Sequence, residues 1–241
     1  MEIISNDPNI KISEDLATDV APSFVITDIK QAVRTENRVN IFINGKFDFS
    51  LDIAQVVDFR LKKGQALTEK ELHDCRRASE FGKLYQRTLE YVLSRPHSIK
   101  ETYDHMLQSR KKREAENRLR QKNLSIPTDD DINLVLERLI GRGYLNDEIF
   151  VRYYIENRNV KKGISLKKLR QELAKKGVSQ SMVEAALAEN PRDEAEEIKK
   201  IITKKRRRYD DEKLIQYLLR QGFDYQQSKD AVLEMGSQSS E

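Results

Sequence analysis

The sequence predicts a mainly α-helical protein, with three tandem three-helix repeats forming an elongated curved rod behind a small β-hairpin-containing module. Three observations predict this. The 241 residues include only 9 Gly and 5 Pro, while 35% are charged; turns are scarce and polar helix faces plentiful, which argues against a Gly-rich β sandwich or barrel. From residue 68 onward, apolar residues recur at the i, i+3, i+4, i+7 spacing of a helix face. A pattern also returns at a constant offset of 45 residues: Leu169-Arg-Gln-Glu-Leu173, Gly177, Val178, Ala186 and Glu189 match Leu214-Ile-Gln-Tyr-Leu218, Gly222, Phe223, Ala231 and Glu234. Units that bury their apolar faces against their neighbours stack into a rod.

Residues 1–23 carry Glu2, Asp7, Glu14, Asp15 and Asp19 against Lys11 alone and lack periodicity. They read as a flexible acidic tail, too polar and of the wrong charge for a signal peptide. Residues 24–72 form the small module. Phe24 to Ile29, Val39 to Ile43 and the alternation around Phe47 and Phe49 read as three strands, and Asn44-Gly45 supplies the two positive-φ positions of a type I′ hairpin turn. Leu51 to Leu61 reads as a short helix ending before Gly64.

Repeat 1 spans residues 73–145. Ser98 and Glu101 form a capping box ahead of Tyr103, Met106 and Leu107. Asp131 starts a helix bearing Ile132, Val135, Leu136 and Leu139, which stops at Gly141 or Gly143. Placing Tyr103 and Leu107 where the other repeats have paired leucines aligns this unit, with Arg110 to Asn123 as a basic insertion. Repeat 2, residues 146–190, has Asn146 or Asp147 capping a helix with Phe150, Val151, Tyr154 and Ile155. Ser165 then opens one that stops at Gly177, and Ser179 one that closes at Asn190-Pro191. Repeat 3, residues 191–235, adds a helix with Ile198, Ile201 and Ile202, then Asp210 to Gln221 and Asp224 to Met235; residues 236–241 are a tail.

The net charge is only +4, but the basic residues cluster. Arg110, Lys111, Lys112, Arg113, Arg118, Arg120 and Lys122 make one block. Lys161, Lys162, Lys167, Lys168, Arg170, Lys175 and Lys176 make a second, and Lys199, Lys200, Lys204, Lys205, Arg206, Arg207 and Arg208 a third with no acid inside it. Blocks of this kind suit a phosphate backbone or an acidic protein groove, although a highly charged helical protein also has solvated basic faces.

Catalysis finds little support. His73, Asp74 and Cys75 are adjacent and face different sides of a helix, His97 and His105 are the only further imidazoles, and Gly141-Arg-Gly143 follows a helix and lacks a GK[ST] ending. No cofactor or metal is expected. One cysteine cannot form an internal disulfide, and the longest apolar run, Ala185 to Ala188, is far short of the about 20 residues that cross a bilayer, which points to the cytoplasm. Among the aromatics of repeat 2, Phe150 and Tyr154 have core spacing, leaving Tyr153 as the exposed one. A second reading is a transcription regulator of helix-turn-helix type, because Leu173-Ala-Lys-Lys-Gly-Val-Ser179 resembles that turn. Against it, the turn is a residue short, and the following helix carries Glu184 and Glu189 with no Arg or Lys for guanine edges.

Gly143-Tyr-Leu-Asn-Asp-Glu-Ile-Phe150, Asn157-Arg158, Gly163, Leu169-Arg-Gln-Glu-Leu-Ala-Lys-Lys-Gly-Val178 and Leu218-Leu-Arg-Gln-Gly-Phe223 resemble the RecX family of bacterial regulatory proteins. The strand module and Leu61-Lys-Lys-Gly64 are similar to its longer Gram-positive members. Asn146 stands where the family usually has Asp, and Ile149 where it has Arg. The resemblance implies a non-enzymatic modulator that lies along the RecA–DNA filament. It would restrain ATP hydrolysis and strand exchange and so act on recombination, DNA repair and the SOS response. The implied partners are RecA and single- and double-stranded DNA, bound weakly and without sequence preference by a monomer that touches no membrane. The implied contact residues are Arg158 and the basic blocks, in particular Arg110 to Arg113, Lys161, Lys162, Lys167, Lys168, Arg170, Lys175, Lys176 and Lys204 to Arg208.

Overall fold

A computed structural model describes residues 24–33, 36–121 and 125–237 of the chain. The acidic tail before Phe24, the end of the basic insertion at Lys122 and Asn123, and the last residues of the C-terminal tail lie outside the described residues. The chain divides into two compact units, one ending at Ser79 and the other beginning at Glu80. The sequence places this boundary between residues 72 and 73; helix α2, Glu69–Ser94, runs through both positions.

In the first unit, β1 (Phe24–Gln31), β2 (Arg38–Ile43), β3 (Lys46–Asp52) and a short β4 (Ala66–Leu67) form an antiparallel sheet in the order β3-β2-β1-β4. Asn44 and Gly45 both have positive φ, as a type I′ turn requires, and join β2 to β3. The helix expected over Leu51–Leu61 is shorter. Leu51 is fully buried and pairs with Val39, so β3 continues to Asp52, which then caps α1 (Ile53–Asp58) by a capping box with Gln55. Burial on the sheet face outweighs helix propensity at this point. Ile26, Ile41, Phe49, Leu51, Leu67, Leu72 and Cys75 form the core.

The second unit contains α3 (Ile99–Arg120), α4 (Asp129–Gly141), α5 (Asp147–Asn157), α6 (Leu166–Lys175), α7 (Gln180–Glu189), α8 (Glu194–Lys205), α9 (Asp211–Gln221) and α10 (Tyr225–Ser237). Three separate cores follow the repeats. The first is built on Met106, Ile132, Val135 and Leu139, the second on Phe150, Leu169, Leu173 and Val183, and the third on Ile198, Ile202, Leu214, Leu218 and Val232.

N-caps fix where each apolar side chain falls. Ser98, Ser165 and Asp210 cap the middle helices, and Thr128, Ser179 and Asp224 the third helices. Counting from the cap, the fourth and eighth residues of the middle helices are buried: Thr102 and Met106, Leu169 and Leu173, Leu214 and Leu218. Thr102 and Met106, one residue earlier than Tyr103 and Leu107, therefore hold the leucine places of repeat 1, and Thr102 satisfies its hydroxyl on the Ser98 carbonyl. The cap of α4 is Thr128, with Asp131 completing its capping box from the third position.

Adjacent repeats meet through one joint, built twice. The Ser98 hydroxyl accepts from the Glu101 N–H and donates to the Lys176 carbonyl (2.8 Å). The Ser165 hydroxyl accepts from the Lys168 N–H and donates to the Gln221 carbonyl (2.6 Å). Beside these, the Ile99 N–H donates to Asp147 (2.8 Å) and the Leu166 N–H to Glu194 (3.0 Å), each acid being the first residue of the next repeat's first helix. The accepting carbonyls precede Gly177 and Gly222, whose φ values of +82° and +95° no other residue adopts cheaply. A side chain there would also collide with the preceding repeat, meeting the Lys100 Cβ at 2.8 Å or the Ser165 Oγ at 3.0 Å.

The residue before the cap is buried at both joints. At the second it is Ile164; at the first it is His97. The His97 ring packs on Tyr91 with centroids 3.7 Å apart, and Tyr91 stacks on His105 at 3.9 Å. Neither His97 nitrogen has a hydrogen-bond partner, although Nδ1 stands 3.5 Å from Glu101 Oε2. Burial pushes its imidazolium pKa below the ordinary range; the Arg95 charge and His105 act the same way, and Glu101 opposes them.

Two stability outcomes are expected. Ser98→Ala or Ser165→Ala should lower the unfolding free energy by about 2 kcal/mol in urea titrations, since a cap and a cross-repeat bond are both lost, whereas Ser179→Ala, which loses only a cap, should cost about 1 kcal/mol. The folded pKa of His97 lies below its unfolded value, so the unfolded state binds more protons in the interval between them. Stability should be full above about pH 6.5, the ordinary histidine value, and fall as the pH drops through the folded pKa. His97→Phe should reduce that fall in unfolding midpoints compared between pH 7.5 and 5, with His105, also lowered by burial, accounting for part of what is left.

Candidate polyanion-binding surface

The basic residues singled out in the sequence divide into two groups. In the first, the side chain is engaged by another group of the chain. Arg110 pairs with Asp129 at 2.6 Å, and Arg113 reaches Glu80 and the Ser125 carbonyl. Arg158 grips Glu172 with two hydrogen bonds of 2.7 and 2.9 Å, which hold the Glu172 carboxyl below its usual range. Tyr154 donates to the same carboxylate, and burial together with that bond pushes its phenol up to about 12. Arg170 grips Glu184 in the same two-pronged way. Lys176 pairs with Glu101 across the first joint and lies over the Phe150 and Tyr154 rings.

Lys168 donates to Gln221, and Lys204 to the Lys161 carbonyl. Lys205 lies 5.8 Å over Tyr209 and 5.2 Å over Tyr217, and Arg206 joins the Val232 carbonyl to Asp211. These residues hold helices together, and two-pronged Arg–carboxylate pairs are the strong ones.

The second group is exposed and makes no side-chain hydrogen bond or ion pair among the described residues: Lys111 and Lys112 on α3, Lys161 and Lys162 between α5 and α6, Lys167 and Lys175 on α6, and Arg207 and Arg208 between α8 and α9. Lys162 and Arg207 each stand three residues before the cap of their middle helix, as Arg95 does in repeat 1. The free cations therefore recur at one structural position in successive repeats. Arg95 is exposed but turns towards the Pro96 carbonyl and Glu101.

The helix-turn-helix geometry fares differently. On α7, the helix that would enter a groove, Glu184 is bound to Arg170 and Glu189 to Arg152. The adjacent His73, Asp74 and Cys75 do not converge: Cys75 is buried, with its thiol pushed up to about 11 by burial, while His73 is exposed. Among the described residues, no three His, Cys, Asp or Glu side chains gather as metal ligands. Gly141 ends α4 and Gly143 has a φ of +75°, a helix stop. Tyr144 is more exposed than Tyr153, because it follows that stop instead of riding on a packed helix.

Two residues that sequence reasoning passed over matter here. Glu197, 3% exposed, accepts from the Ile164 N–H and pairs with Arg192 and Lys200, fixing the loop that carries Lys161 and Lys162. A Cβ on Gly163 would lie 2.4 Å from the Glu197 carbonyl oxygen, so this loop fits only with glycine there. The signal lay in the caps: counted from Asp193, Glu197 is the fourth residue and buried in α8, the place that Phe150 fills when α5 is counted from Asn146. Arg220, on the last turn of α9, has the place that Lys175 has on α6.

No helix among the described residues is long and apolar enough to cross a membrane. Two family models match the chain: the N-terminal domain of regulatory protein RecX over residues 24–68, and the second three-helix domain of RecX over residues 146–187. The regulatory protein RecX of Bacillus licheniformis is 28% identical over 208 residues, covering 83% of this chain and 73% of that protein. That of Listeria monocytogenes serotype 4a is 26% identical over 221 residues, covering 88% and 76%. A crystal structure of regulatory protein RecX shares the fold, with a TM-score of 0.59 over 86% of this chain and 99% of the other at 24% identity.

Proposed function

We propose, from its similarity to the RecX regulatory proteins, that this chain binds the RecA–DNA filament and restrains RecA's ATP hydrolysis and strand exchange, and with them recombination and repair. The observation that carries the reading is the recurrence of unpaired cations before the middle helix of successive repeats, Lys161 and Lys162 in repeat 2 and Arg207 and Arg208 in repeat 3. A polymer with repeating negative charge is the partner such a series suits, because each engaged repeat raises the effective concentration of the next. The protein acts by occupying the filament, not by chemistry of its own, and its DNA contacts are to phosphates without preference for bases.

The carboxylates of α7 support this over a sequence reader, since Glu184 and Glu189 are spent on holding α6 and α5.

The purified chain should hydrolyse no ATP and should lower the ATPase rate of RecA on single-stranded DNA. ATPase activity that co-purifies with the chain, or no effect on RecA, would sink the proposal. Lys161→Glu/Lys162→Glu/Arg207→Glu/Arg208→Glu should abolish most of the inhibition while leaving the thermal melt in place, because none of these side chains has a partner among the described residues. Lys205→Glu and Arg206→Glu should instead destabilise repeat 3. A stop after Asn190 should keep a cooperative helical melt and lose most inhibition. With about 6 phosphates neutralised, log affinity for duplex DNA should fall against log salt with a slope near −5; preference for one palindromic site would favour the transcription-regulator reading.

A further inference from the structure

We propose that the joint between repeats 2 and 3 is a phosphate-binding site for a nucleic-acid backbone, formed by Lys167, Lys168 and Arg220. This rests on the DNA-contacting part of the function proposed above. The two joints share their hydrogen bonds, so their side chains can be compared place by place. At the first joint two of the three cations meet carboxylates, Lys100 pairing with Asp104 one turn on and Lys176 with Glu101, and only Lys175, in the place of Arg220, is left without one among the described residues.

At the second joint the geometry is kept, and the two carboxylates that pair with cations at the first are replaced. Lys167 stands in the place of Lys100, with Gln171 where Asp104 would be. Lys168 stands in the place of Glu101, and Gln221 in that of Lys176, so the bridging bond is Lys168 Nζ to Gln221 Oε1 at 2.7 Å, from a cation to a neutral amide. Arg220, next to Gln221, donates among the described residues to the carbonyl of Gln216 on its own helix alone. Lys167 is exposed and packs its stem against the Gly222 turn, where an added Cβ would lie 3.5 Å from its Cβ and Cδ.

The neighbouring acids are engaged elsewhere. Glu194 accepts from the Leu166 N–H, Glu172 is held by Arg158 and Tyr154, and Glu184 by Arg170. Lys167, Lys168 and Arg220 thus make no ion pair among the described residues, and Lys168 acts on the Arg158-held Glu172 carboxylate only at a distance. Two of the three are lysines, compact charges that take phosphate oxygens from any direction and lack the planar fork that favours a protein carboxylate.

The test uses the full chain and a fluorescent oligothymidylate with no RecA present. Lys167→Gln/Arg220→Gln should weaken binding about tenfold at 0.1 M salt and flatten the log–log salt slope by about 1.4, the value for two single-strand phosphate contacts. Gln171→Glu, which gives Lys167 the carboxylate Lys100 has and touches no joint hydrogen bond, should weaken binding severalfold. Lys100→Gln should change it by less than about twofold. Unchanged affinity and slope in Lys167→Gln/Arg220→Gln, an equal loss in Lys100→Gln, or no oligothymidylate binding by the wild-type chain overturns the site. Inhibition of RecA by the same variants separates the two proposals. Variants that bind the oligonucleotide normally but no longer inhibit RecA would assign this joint to an acidic protein surface. Oligonucleotide binding that depends on these residues, with no effect of the wild-type chain on RecA, would leave the site standing and remove the regulatory reading.

Discussion

The hydroxyl of the serine that caps the middle helix of repeats 1 and 2 is the contact on which the second unit depends. A serine oxygen has lone pairs to accept with and a single proton to donate, and Ser98 and Ser165 use both, accepting from their own helix and donating to the next repeat. The remaining contacts of the joint follow from that bond. The accepting carbonyl must come close, so the residue after it is a glycine in the left-handed region, at 177 and again at 222. The first N–H of the capped helix must find an acceptor, and the next repeat begins with an acid, Asp147 or Glu194, that supplies one. Each bond is worth about 1 kcal/mol, yet a three-helix unit of this size buries too little apolar surface to be secure alone, and two such bonds per joint are a large share of its margin.

Repeat 3 is capped differently. Its middle helix is capped by Asp210, followed by Asp211 and Glu212 in the places of Ile99 and Lys100 or of Leu166 and Lys167. Asp210 takes Lys213 of its own helix as its partner. The joint's serine and its acceptor are thus found between repeats 1 and 2 and between repeats 2 and 3.

The same economy governs the charges. Arginines with a carboxylate in reach, Arg110, Arg158, Arg170 and Arg206, are structural, and so are Lys176 and Lys205 with their acidic or aromatic neighbours. Those left over lie on α3, on α6 and in the loops ahead of the capped middle helices.

Much of this was legible in the sequence because it is local. Caps, glycine stops and the period of apolar residues depend on neighbours within a turn or two of helix, so Ser98, Ser165, Ser179, Gly177 and Gly222 announced their roles, and the 45-residue offset announced the duplication. The Asn44-Gly45 turn was legible for the same reason. Where a distant partner chose, the local pattern misled or was silent. Sheet pairing with Val39 kept Leu51 out of a helix, and core burial put Thr102 and Met106 one residue ahead of Tyr103 and Leu107. Which lysines and arginines were free was undecidable from composition, since Glu172 for Arg158, Glu184 for Arg170 and Glu101 for Lys176 are brought within reach by packing alone. The sequence by itself determined the helices, their ends and their repetition, which are written in short-range hydrogen bonding and periodicity. Only the tertiary structure decided which charges are neutralised and which face solvent, because an ion pair is set by distances across the fold.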